Sequence, residues 1–341
     1  MDNKEVNRKT RIPFMLKIMM LLILFVASFF AAFYFGAANV TWTNVWQAIF
    51  STNKNEEITL LQELRYPRVI AAIFIGAALA VSGSIMQGLT RNPLADPGLI
   101  GLNAGANLAL AVAIVWFPSL NYFGIMIACF IGAAIGAFLV FGIGASKRGG
   151  FTPFRLVLAG AAISAFLLAI SEGIGLYFKV SKDVSMWTAG GLIGTTWGQL
   201  KWLIPVIVIT LIVAMILSRQ LSILSLSDEV AVGLGQSTFL MKGILFLLTV
   251  ILAGAAVSLA GNIVFIGLMI PHIVRSIVGH DYRLIIPASI VVGASFMMIA
   301  DTVGRTINAP YETPVSAIVA MLGLPFFLYI VRKGGGIAND S

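Results

Sequence analysis

Apolar runs close to twenty residues long recur along this chain, and no stack of soluble layers can hide them. A helix that crosses a bilayer needs about 20 mainly apolar residues, within a range of about 17 to 25. Ten such runs are present, near residues 13–36, 69–90, 99–117, 123–145, 154–178, 202–218, 238–260, 262–278, 284–300 and 314–331. Across 341 residues 59% are apolar and only 11% charged, against about 25% charged in ordinary soluble domains. The expectation is an all-α integral membrane protein: one multi-pass unit over residues 1–341 with a short tail at 1–12 and no soluble domain. The first run is longer than the apolar region of a secretory signal, about 7 to 15 residues, and reads as a first transmembrane helix.

The stretch from Gly243 to Pro271 is nearly unbroken. As one helix it would be about 43 Å long, against a hydrocarbon core of ~30 Å. Gly261 and Asn262 offer a break, and charge supports one. With ten helices and the N-terminus inside, fifteen Lys and Arg residues fall on the inner side and seven on the outer; with nine helices the split is twelve to ten. The positive-inside rule favours ten crossings with both termini cytoplasmic. The inner loop 219–237 and the outer segments 37–67 and 179–201 are then the longest connections.

The net charge of +8 does not imply nucleic acid, which requires a clustered basic face; here basic residues punctuate apolar runs. Cys129 is the single cysteine, so neither an intrachain disulfide nor a cysteine metal site can form. His272 and His280 have no second ligand nearby in sequence, and no metal site is expected.

Aligned on itself at an offset of 178, the chain places GAALAVSG (76–83) over GAAVSLAG (254–261), Pro93 over Pro271 and Gly101 over Gly279. The two copies run in opposite directions through the membrane, which predicts an inverted repeat, helices 2–5 against 7–10, with a pathway between the halves. At the inner end of the second run stands RNPLADPG. Its prolines lack an amide proton and push Asn92 and Asp96 away from helical angles. Irregular backbone near membrane depth must be buried in protein or line a cavity.

Residues 65–106 (RYPRVIAAIFIGAALAVSGSIMQGLTRNPLADPGLIGLNAGA) carry a family resemblance, as do 265–289 (FIGLMIPHIVRSIVGHDYRLIIPAS), IADTVGRT at 299–306 and ETPVSAIVAMLGLPFF at 312–327. Together they resemble the membrane permeases of binding-protein-dependent ABC importers for ferric siderophores, haem and vitamin B12. The resemblance covers nearly the whole chain from about residue 60. It implies a ten-helix type II importer permease of the bacterial cytoplasmic membrane, paired with a second permease subunit, homologous or identical. Two cytoplasmic ATPase subunits and an extracytoplasmic substrate-binding protein are the other implied partners, with membrane lipid around the bundle. ATP and Mg would be used by the ATPases alone, since the chain has no G-x-x-x-x-G-K-[ST] loop.

Roles follow by position. Arg65, Arg68 and Arg305 lie at the predicted outer face; alone they could be interfacial anchors, and by resemblance they dock acidic residues of the binding protein. Asn92 and Leu94 match an inner constriction, and GASKRGGFTP (144–153) is the loop beside it. The loop LSLSDEVAVGLG (224–235) resembles the coupling segment, two short helices against the ATPases, with Ser227 as N-cap and Asp228, Glu229, Ala231, Gly233 and Gly235 as its contact set. The family usually has Gly at the place of Ser227 and often Arg at that of Val232; Thr313, Ser316 and Val319 also depart from its pattern. Glu172 is the carboxylate set deepest in an apolar run. It is a candidate for lining the pathway, yet lies within about two turns of the outer end, where it can equally face water. The expected function is import of an iron chelate, a ferric siderophore first, with B12 or haem as alternatives. An ion-coupled secondary transporter is the more remote reading.

Overall fold

The computed structural model describes residues 13–36, 46–47, 58–59, 61–145 and 153–335. The tail at 1–12, most of the 37–67 segment and nearly all of GASKRGGFTP fall outside these residues. Thirteen α-helices are delimited among the described residues: α1 Phe14–Tyr34, α2 Tyr66–Thr90, α3 Leu102–Trp116, α4 Tyr122–Ala145, α5 Pro153–Tyr177, α6 Ser181–Thr188, α7 Trp197–Ile216, α8 Ser218–Leu224, α9 Asp228–Gly233, α10 Thr238–Ala260, α11 Ile266–Val278, α12 Tyr282–Thr306 and α13 Val315–Gly335. The ten predicted runs correspond to α1–α5, α7 and α10–α13. Seven of them are long and apolar enough to cross a membrane; α3, α11 and the apolar part of α13 are shorter. The family-based expectation of two short helices in the inner loop is met by α8 and α9.

Boundaries moved where polar residues occupy helix ends. Run six starts five residues early, at Trp197, because the Thr196 N–H donates to Gln199 Oε1 (2.9 Å) and starts the helix ahead of the apolar stretch. Run nine extends to Thr306 because buried Asp301 and Arg305 satisfy each other within the helix. Run eight shortens to Ile266, since residues 261–264 are not helical and Gly261 turns the chain at a positive φ of 72°.

Nearly every residue of α2 from Val69 onward is buried, as is most of α10 from Leu245. A helix apolar on all sides is stable at the centre of a bundle. α12 packs along α2 and α4 along α10, a reciprocal arrangement of the two halves. Small residues permit this closeness. A Cβ on Gly83 would stand 1.9 Å from the Gly267 carbonyl oxygen of α11, and one on Gly76 would stand 2.2 Å from that of Gly293 of α12. Around this core, α1, α5, α7 and α13 expose large apolar side chains such as Met20, Phe166, Trp202 and Leu328, a surface suited to lipid or a second subunit and not to water.

The repeat is one of elements, not of the residue register read from sequence. Pro93 lies in the break after α2, whereas Pro271 lies inside α11; Gly101 caps the start of α3, whereas Gly279 caps the end of α11. The first break occupies residues 91–101 and the second only 261–265, so one offset cannot pair both the helices before the breaks and those after.

Candidate functional site

The two breaks are built from different local rules and meet. After α2 the chain turns at Arg91, which sits in the left-handed region (φ 51°). Asn92 Oδ1 then accepts the Leu94 N–H (2.9 Å), and Asp96 Oδ1 accepts that of Gly98 (2.7 Å) to start a 3₁₀ turn, Pro97–Ile100. These side chains satisfy amides that the prolines leave outside a helix. In the second break Asn262 N–H donates to the Thr188 carbonyl (3.3 Å), and Gly191 N–H to that of Ala260 (2.9 Å), so the segment around α6 supplies its partners. Asn103 Nδ2, in the first turn of α3, donates to Asn262 Oδ1 and ties the helix that follows the first break to the second break.

A cavity of about 580 Å³ opens at this junction. Asp96, Asn103, Asn107, Ser164 and Asn262 are its polar lining, among apolar residues that include Leu94, Phe265 and Phe327. Burial pushes the Asp96 carboxyl up to about 6, against the Gly98 hydrogen bond that favours its charge. On the predicted inner side lies a second cavity of about 1160 Å³, lined by Gln87, Arg91, Pro93, α8 and the α11–α12 turn. Pro93 faces this second cavity and Leu94 the first, so the RNPLADPG stretch is the partition between them. Asn92 shapes that partition through its bond to Leu94 N–H and lines neither cavity. Asp96, Asn103 and Asn262 went unassigned at the sequence level. Their signal was present as polar residues flanking predicted helix breaks.

At the predicted outer end Arg65, Arg68 and Arg305 come together, but inside the protein. Arg65 is 7% exposed and Arg305 3%. Arg65 Nη1 donates to the Phe33 carbonyl (2.9 Å) and Arg305 Nη2 to that of Ala32 (3.0 Å). These carbonyls belong to the last turn of α1, where a helix has unpaired acceptors and partial negative charge. Arg68 is shared between buried Asp301 (2.9 Å) and Glu312 (2.9 Å), and Asp301 also holds Arg305 (3.1 Å). Of the three guanidinium groups expected at a docking face, Arg65 and Arg305 are thus buried in this chain and bonded to α1. All three are bonded within the chain, and only the Arg68–Glu312 edge reaches the surface.

At the predicted inner end Ser227 Oγ accepts the Val230 N–H (3.1 Å), the cap expected for α9. Ala231 is fully buried, Gly233 ends α9 and Gly235 takes a positive φ of 78° that favours glycine. Glu229 is exposed. Asp228 instead turns inward to Arg91 and to Lys242 Nζ (2.7 Å). Burial alone would raise its carboxyl, but the two cations outweigh that and hold it below its ordinary value. Glu172 is exposed and lies one turn beyond Val157, Ala161, Ser164 and Leu168, the α5 residues that line the smaller cavity, without lining it itself. No cluster of three or more His, Cys, Asp or Glu suited to a metal occurs among the described residues.

With this geometry in place, comparison with known proteins is informative. Residues 21–333 match the FecCD transport family. The iron(3+)-hydroxamate import system permease protein FhuB of Bacillus subtilis is 46% identical over 301 residues, covering 87% of this chain and 78% of that protein. The hemin transport system permease protein HmuU of Yersinia pestis is 38% identical over 321 residues, covering 92% and 94%. Among solved structures, a metal-chelate-type ABC transporter in an inward-facing conformation superposes with a TM-score of 0.80 at 26% identity, covering 93% of this chain and 98% of that one.

Proposed function

The chain belongs to the FecCD transport family, and on that premise we propose that it is the permease subunit of a binding-protein-dependent ABC importer that carries a ferric siderophore inward. The observation that carries this reading is the partition. The RNPLADPG stretch divides two cavities, one at the meeting point of two broken helices and one beneath it, and its first residue is bonded to the segment that resembles the ATPase coupling loop. Transport is then alternating access. ATP-driven closure of two cytoplasmic ATPases displaces α9, and the partition yields. The chain itself performs no catalysis and holds no cofactor; ATP and Mg act in the ATPases.

A second permease subunit completes the pathway against the exposed apolar faces, and a binding protein delivers cargo at the end bearing Arg68 and Glu312. Both termini face the cytosol of a bacterial cell. Hydroxamate siderophores rank above haem because the hydroxamate-system relative is the more similar of the two. Among the described residues Asp96 is the one acidic residue lining the smaller cavity, and it gives the ion-coupled reading its foothold there. Family membership weighs against that reading.

A strain lacking this gene should lose uptake of radiolabelled ferric hydroxamate and regain it from a plasmid copy. Loss of haem uptake alone would move the substrate to haem, and unchanged uptake of every iron chelate would overturn the proposal.

A further inference from the structure

The coupling segment is tied to the partition by one small charge cluster. Arg91 Nε donates to the carbonyl of Leu224, the last residue of α8 (3.0 Å), while its guanidinium pairs with Asp228, the first residue of α9. The other Asp228 oxygen takes Lys242 Nζ of α10, whose side chain is buried. One carboxylate therefore joins α9 to α2 and α10, the matching helices of the two halves. Arg91 is also the residue that turns the chain out of α2, in a left-handed conformation that non-glycine residues seldom adopt. Two residues later the chain is the wall between the cavities.

Resting on the permease reading above, we propose that Arg91, Asp228 and Lys242 form a latch through which the coupling segment holds the partition shut. Arg91 is a positioning residue of transport. Asp228 is an internal strut, and Glu229, which is exposed, is left to face the ATPase. Three features fit this role better than a plain surface ion pair, which contributes little. Arg91 is gripped at both ends of the α8–α9 turn, so a change across that turn reaches it directly. α8 is in turn fixed to α12, with Ser222 Oγ bonded to Asp281 Oδ1 (3.1 Å) and accepting the Tyr282 N–H (3.0 Å), so the segment has a fixed point to pivot on. The Arg91 and Asp228 side chains are 35% and 48% exposed, wet enough for the pair to part without stranding a buried charge. When α9 moves about α8, the carboxylate leaves, Arg91 keeps only the Leu224 carbonyl and the left-handed turn can relax. A two-state element biased from the cytosol then stands at the wall between the two cavities.

The test uses the assembled importer in proteoliposomes with its ATPases and loaded binding protein. Its unsubstituted form, which must import with ATP for the function to stand, is the reference. Arg91→Ala should leave the complex assembled and raise the ATP hydrolysed per chelate imported by about tenfold. In a second variant, Arg91→Cys with Asp228→Cys, a bifunctional thiol reagent should stop import, and cleavage of the bridge should restore it. Native Cys129 is buried and spared. A wild-type hydrolysis-to-import ratio in Arg91→Ala, or unimpeded import by the bridged pair, would overturn the latch while leaving the permease function intact.

Discussion

Arg65 and Arg305 show how little of a residue's role lies in its identity and how much in its depth. Position in the chain assigned them to one face; burial and the α1 carbonyls assign them to holding α1. A buried hydrogen bond from a charged group contributes about 1.5–3 kcal/mol. Arg65→Ala and Arg305→Ala should therefore each lower the melting temperature and expose α1 to protease, whereas a pure docking role predicts unchanged melting. Asp96 makes a separate prediction about pH. Its carboxyl is raised to about 6 from 3.8, so the closed, buried arrangement is fully favoured below the ordinary value and loses that support as pH rises through about 6. Water admitted as the cavity opens stabilises the charged form. Labelling of a cysteine introduced at Ser164, normalised to an exposed control, should increase between about pH 5 and about pH 7, and Asp96→Asn should flatten the profile. A profile unchanged in Asp96→Asn would remove Asp96 from the opening. Neither the depth of the arginines nor the environment of Asp96 was legible in sequence, because both depend on helices more than two hundred residues away or on a cavity between them.

Helices were legible where hydropathy alone decides them and less so at their ends. Polar ends such as Thr196–Gln199 and Asp301–Arg305 are satisfied by local or intrahelical partners that an apolar count ignores. The break at Gly261–Asn262 was legible from length and charge, and RNPLADPG from its prolines; that the start of α3 bonds to the second break was not, since the Asn103–Asn262 contact is long-range. Glycine content pointed to close packing without saying which glycines carry it. Gly83→Ala would force a methyl into the α11 backbone and should cost about 1–3 kcal/mol or more through overpacking. Gly243→Ala, also mid-helix but facing open space, should be neutral or gain about 0.5–1 kcal/mol. Melting curves of the two purified variants check this directly, and equal stability would show that the α2–α11 contact is not tight.

For the whole molecule, the apolar runs carried most of the architecture: ten apolar helices, seven of them long enough to cross a membrane, and a doubled plan. The residue register of that doubling was misplaced because breaks of unequal length shift everything after them. What the assembled structure adds is a bonded path, from α9 through Arg91 to the wall between two cavities. The most direct measurement is import of a radiolabelled ferric siderophore into sealed proteoliposomes containing the permease pair, with ATPases, ATP and binding protein added or withheld. The account predicts accumulation only when all are present and none under a proton or sodium gradient alone. Gradient-driven accumulation without ATP would contradict it.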